Sequence, residues 1–174
     1  MYGVQYNSIL DVQFNDDVIN EPVTLSEAKD FCKIDISNDD VLIESIITAA
    51  RQMCEAYTGI GFVEHNILVN VNNSNGDIYL PYCPLVEVIE VTDENDVVLE
   101  AATGYKLRGN DFVRLEWPTE NNITIEYVAG YGELPEVLRL GLLNAIYYLY
   151  DNRSIEVDDI GPIAKMILKP HRRV

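Results

Sequence analysis

The chain has 174 residues, 48% of them apolar and 24% charged, which is enough to bury a core as one domain or as one domain carrying an insertion, and too apolar for a disordered segment. Acids outnumber bases 29 to 12, a formal charge of -17. Such a field repels nucleic-acid phosphates and anionic headgroups, so surface binding to either is disfavoured.

The charge is uneven. Residues 1–100 hold 19 acids and three bases, whereas Lys165, Lys169, Arg172 and Arg173 close the chain as a small basic tail. Residues 1–22 alternate weakly and carry Asn15, Asp16, Asp17 and Asn20, the pattern of an extended arm lying on a neighbour or on its own domain. Thr24-Leu25-Ser26-Glu27 matches a capping box, and Leu25, Ala28, Phe31 and Cys32 follow at helical spacing, so a short helix is predicted to about Lys33. Ser37-Asn38-Asp39-Asp40 supplies caps and negative charge for a second helix running to Tyr57 and stopped by Thr58-Gly59. Its polar residues Glu44, Thr48, Arg51 and Glu55 lie between two apolar stripes, so it is packed on more than one side.

From Phe62 to Val128 the period falls to two. Strands are predicted at Ile67–Val71, Ile78–Leu80, Val86–Val91, Val97–Leu99, Phe112–Leu115 and Ile123–Tyr127, separated by Asn, Gly, Asp and Pro turns. Spacing this short leaves no room for crossover helices, so the strands are expected to be antiparallel. After Gly130-Tyr131-Gly132, Pro135 opens a long helix to about Asn152 that is apolar on nearly all sides. Its cover is expected to include a second protein chain. Gly161-Pro162 restarts the chain as a short helix, Ile163 to Leu168, ended by Pro170. The segments are therefore an arm at 1–22, helices at 23–61, a small antiparallel β-domain at 62–128, helices at 129–168 and a basic tail at 169–174.

Catalytic and ligand-binding patterns are not met. The histidines, His65 and His171, lack a ligand at metal-binding spacing, and Cys32, Cys54 and Cys83 form neither a CxxC pair nor an even framework, which fits a reducing cytoplasm. Asp93-Glu94-Asn95-Asp96 lacks the glycine and distal glutamate of a calcium loop and reads as a β-turn. Gly130-Tyr131-Gly132 lacks the spacing of a phosphate-binding loop, and no serine stands in GxSxG. No enzyme activity, metal or cofactor is expected, and no export signal or membrane segment is read from the sequence. The aromatic run Tyr147, Tyr148 and Tyr150, with Leu143 and Leu149, reads as core and subunit interface in preference to a platform for stacked bases.

The order of segments carries a resemblance. Pro22-Val23-Thr24-Leu25-Ser26-Glu27-Ala28-Lys29, the acidic link Ser37–Asp40 into Val41-Leu42-Ile43, Ala49-Ala50-Arg51 and Glu55-Ala56-Tyr57-Thr58-Gly59 resemble the two opening helices of the head-tail connector proteins of long-tailed bacteriophages and prophages. These adaptors are also known as DNA-packaging proteins. Pro84-Leu85, Tyr127-Val128-Ala129-Gly130-Tyr131-Gly132 ahead of Leu134-Pro135-Glu136, and Ala145–Arg153 continue it, so the resemblance spans about residues 22–170. It implies an α+β chain that is mainly an α-helical bundle with an inserted small antiparallel β-domain. It also implies a closed homo-oligomeric ring, commonly twelvefold, between the portal and the next neck or tail protein, with genomic DNA passing through the lumen. The expected location is the virion neck, after assembly in the host cytoplasm. The C-terminal segment, with Lys165, Lys169, His171, Arg172 and Arg173, is then the expected portal contact.

Three other readings stand beside this one. Another neck protein, such as a stopper or tail terminator, is disfavoured by the paired opening helices. An acidic DNA mimic that inhibits a host protein rests on net charge alone, and a hydrolase on nothing more than the number of carboxylates.

Overall fold

Two burial rhythms run along the chain, and they fold apart. The computed structural model describes residues 9–15, 20–72, 77–109, 112–117, 122–152 and 159–173. One compact unit is formed by Met1–Val18 with Glu64–Tyr131 and a second by Ile19–Val63 with Gly132–Val174. Residues 1–8 and 16–19 of the expected arm, the turn at 73–76, Arg153 at the close of the long helix, and Val174 lie outside the described residues.

The first unit holds β1 (Ile9–Phe14), β2 (His65–Val71), β3 (Asp77–Tyr79), β4 (Leu85–Asp93), β5 (Lys106–Arg108), β6 (Arg114–Glu116) and β7 (Ile123–Ala129). They form a four-stranded sheet in the order β1-β2-β7-β4 and a three-stranded sheet in the order β3-β6-β5. Every strand pair is antiparallel, as the short spacing requires. The inner strands β2 and β7 alternate strictly between buried and half-buried positions, and Ile67, Val69, Val71, Ile123, Ile125 and Tyr127 pack with Leu115, Trp117 and Val91 into one core. The Tyr127 hydroxyl is satisfied within that core by donating to the Pro81 carbonyl at 3.0 Å.

The outer strands follow another rhythm. In β1 the register shifts between Ile9 and Asp11, and in β4 between Leu85 and Glu87 and again between Val88 and Glu90. Each shift leaves one residue, Leu10, Val86 or Ile89, without a cross-strand partner. The inward positions then recur every third residue: Ile9 and Val12 on β1, and Leu85, Val88 and Val91 on β4.

The second unit is helical: α1 (Leu25–Cys32), α2 (Asp40–Thr58), α3 (Glu136–Asp151) and α4 (Pro162–Leu168), followed by a 3₁₀ turn at Lys169–His171. The capping box at α1 forms in both directions, and Lys33 closes the helix in the left-handed conformation at φ 59°. Gly59 closes α2 at φ 70°, where a residue without a Cβ costs least. The acids before α2 do not cap it through their side chains. Asp40 instead pairs with Lys29 at 2.6 Å, and the Asp39 carboxylate accepts from the Tyr150 hydroxyl at 2.7 Å. α4 ends at Leu168 as expected, and Pro170 lies within the 3₁₀ turn that follows.

The α+β class stands, but the expectation of a mainly α-helical bundle is corrected. Of the described residues 37% are helical and 29% lie in strands. The strands build a unit with its own core, and β1, from a segment expected to be an arm, supplies one outer strand of its larger sheet.

Candidate assembly surfaces

Because α3 is apolar nearly all round, its surroundings bear directly on assembly. Leu138, Leu142, Ala145 and Ile146 are buried within the helical unit. Gly141 on the same face admits α4 closely: a Cβ added there would lie 2.5 Å from Leu168 Cδ2. The other face is uncovered. Val137, Leu140 and Tyr147 follow one another at helical spacing and are 43%, 45% and 45% exposed, an apolar stripe in which Asn144 turns its amide back to the Leu140 carbonyl at 2.8 Å.

Of the residues predicted at a subunit contact, Tyr147 lies on this stripe, whereas Leu143, Tyr148, Leu149 and Tyr150 are only partly exposed. Two of these have tasks inside the unit. The Tyr148 ring lies against the Gly161 backbone, where a Cβ would meet its Cγ at 2.5 Å. Tyr150 ties the end of α3 to the start of α2 through Asp39.

The C-terminal cations are likewise divided. Lys165 bonds Asp159 at 2.5 Å, and this hydrogen bond holds the Asp159 carboxyl below its ordinary value. The Arg173 backbone N–H donates to the Thr58 carbonyl at 2.7 Å, and the Arg172 guanidinium sits 5.0 Å above the Tyr57 ring. The tail therefore lies across the C-terminal, negative end of the α2 dipole, where cations are favoured. Lys169 and His171 stand on the 3₁₀ turn, next to an α4 surface on which Ile163 and Met166 are exposed.

One charged cluster was not legible as such in the sequence. Arg51 and Glu55, on the polar stripe of α2, are only 3% and 4% exposed. Arg51 donates Nε to Glu21 at 2.8 Å and Nη1 to Glu55 at 2.7 Å. The second Glu55 oxygen accepts from the Phe62 N–H at 2.8 Å, and Thr48 donates to Glu21 at 2.9 Å. Burial alone would lower the Arg51 pKa, but hydrogen bonding to Glu21 and the charges of Glu55 and Glu21 outweigh it and push it up. Both side chains of the buried pair are satisfied, so the cluster fixes structure and leaves no group poised for chemistry.

Other candidate chemistry has structural employment. Asp93 Oδ1 accepts from the N–H groups of Asn95 and Val97 at 2.8 and 3.0 Å, so the acidic run is a hairpin turn. His65 is buried with its ring edge-on to Phe14 at 4.8 Å. Cys54 is buried and its thiol is pushed up to about 12, by burial first and then by Glu55. Among the described residues, no group of three or more His, Cys, Asp or Glu is placed to hold a metal ion, and no helix is long and apolar enough to cross a membrane.

Over residues 21–174 the sequence matches the family described as head completion protein. No curated protein matches it. Among solved structures, a chain in the neck of an empty GTA particle computed with C6 symmetry is similar at a TM-score of 0.76 and 18% identity, over 95% of this chain and 96% of that one. A chain in the virion of a native gene transfer agent (GTA) particle gives 0.75 and 19%, over 94% and 95%. A chain in the neck of a native GTA particle computed with C12 symmetry gives 0.74 and 16%, over 95% and 96%. At these identities the likeness is one of fold. The family match covers both helical segments and the strands from β2 onward, in the order that the resemblance to head-tail connectors drew on, and the chain belongs to the head completion protein family.

Proposed function

We propose that this head completion protein is a structural subunit of the virion neck, forming a twelvefold ring between the portal and the next neck or tail protein, with genomic DNA passing through the lumen. Family membership over residues 21–174 carries the reading. Its support from fold is the likeness to chains in GTA necks computed with C6 and C12 symmetry. The role is structural, and assembly takes place in the host cytoplasm.

A closed ring of more than two copies joins unlike surfaces, so each subunit offers two. In the helical unit the stripe Val137, Leu140 and Tyr147 is one such surface, with Leu143 at its margin. The portal contact is α4 with the tail, which carries Lys165, Lys169, His171, Arg172 and Arg173 and exposes Ile163 and Met166 on a chain whose net charge is -17. Such a cationic, partly apolar end favours an acidic apolar seat on the portal. The acidic body disfavours a grip on DNA that must move.

Tyr147→Asp tests the subunit contact. Tyr147 is 45% exposed, so the variant should fold normally by circular dichroism while a charge enters the apolar contact. Sedimentation should then show loss of the assembled species. Assembly equal to that of the parent chain would remove α3 from the interface.

A further inference from the structure

The outer strands of the larger sheet offer a second pair of unlike surfaces. Strand order β1-β2-β7-β4 leaves β1 and β4 as the two edges. Among the described residues no strand pairs with the far side of β1. On β4 the far side is covered from Val91 onward by residues 97–99, through Asp93 N–H to Val97 O at 3.0 Å and Leu99 N–H to Val91 O at 2.7 Å. The stretch from Leu85 to Glu90 has no strand partner there among the described residues.

Both edges carry the same device. Every residue skipped at a register shift is a large aliphatic, and each is exposed: Leu10 at 66%, Val86 at 52% and Ile89 at 49%. Bulges and charges often protect sheet edges from unwanted pairing, and Asp11, Glu87 and Glu90 stand on these edges, but neither device calls for large aliphatic residues at the skipped positions. Aliphatic residues extruded at three such points on two edges are instead suited to being covered.

We propose that the β1 edge of one copy packs against the β4 edge of the next, with Leu10 and Phe14 meeting Val86 and Ile89. The inference rests on the ring reading and adds a contact in the β-unit to that on α3. Strand parity favours a second copy as the occupant. With three antiparallel steps from β1 to β4, the two edge strands run in opposite directions. A rotation about an axis along the strands therefore sets β4 beside an antiparallel β1, and the alternation continues from copy to copy. The edges differ from each other, as a cyclic ring requires. Asp11 on β1 and Glu87 and Glu90 on β4 bring like charges together, so this contact strengthens as salt rises, the reverse of a charge-paired interface.

Thiol cross-linking tests it in the full chain, with Cys32 replaced by serine and Cys54 and Cys83 left buried. Leu10→Cys and Ile89→Cys are made singly and together, assembled, and treated with a bis-maleimide spanning roughly 10 Å, about two strand spacings. The double variant should give a ladder of covalent oligomers, the mixed single variants dimers and nothing larger, and each single variant alone no product. Salt should increase the yield. A single variant that cross-links to itself would make the contact isologous and overturn the proposal, as would a double variant that assembles to the parent's size without cross-linking. A parent chain that stays monomeric in high salt and in the presence of portal would instead remove the ring reading, and this contact with it.

Discussion

Glu27 shows how much one local pattern can settle. Its carboxylate accepts from the Thr24 N–H at 3.0 Å and from the Thr24 hydroxyl at 2.8 Å, and also takes a bond from Arg139 on α3. Those backbone and arginine hydrogen bonds lower its pKa from 4.5 to about 2. Because the folded value is depressed, the stabilisation is complete above about 4.5 and is lost as pH falls towards 2. Glu27→Gln should therefore be less stable than the parent at neutral pH, and urea titrations should find the gap closing in acid; a gap independent of pH would contradict this role. The capping box is legible in the sequence because its bonds span three residues. The Arg51 cluster is not, because Glu21 and Phe62 reach it from outside the helix. Glu55→Gln leaves a buried guanidinium short of one counter-charge and should cost about 3 kcal/mol by chemical denaturation, whereas a solvated polar stripe would lose almost nothing.

Among the elements, legibility follows burial rhythm. β2 and β7 read correctly because they are inner strands with strict alternation. β1 does not, since its bulge turns a period of two into a period of three, and Ile9 and Val12 look unrelated to a strand face. β5, with all three residues exposed, offers no pattern at all. Val97–Leu99 gives only a bridge from Val98 to Thr92, as the return arm of the turn that Asp93 opens. For the helices, the apolar length of α3 was legible but the division of its faces was not, since that depends on α4 packing over Gly141. Gly141→Ala gains about 1 kcal/mol of helix propensity. The new methyl meets Leu168, which is fully buried and has no room to yield, so overpacking of roughly 1–3 kcal/mol should prevail. A thermal midpoint below the parent's is expected; a higher one would mean that α4 is free to shift.

At the scale of the whole molecule, composition excluded more than it identified. The acidic excess ruled against a nucleic-acid surface but left open which faces meet other chains. The apolar length of α3 raised the question of assembly; the structure exposes the Val137, Leu140 and Tyr147 stripe in one unit and two bulged edges in the other, and these are the faces proposed for contact between copies. The expected helical bundle gave too little weight to the β-unit because the N-terminal segment that completes its sheet reads as an arm. The most direct test is negative-stain electron microscopy of the purified chain, alone and mixed with the portal protein of the same phage or prophage. Closed rings, or an added tier of density on portal particles, are expected. Single small particles, together with bare portals at saturating chain, would contradict it.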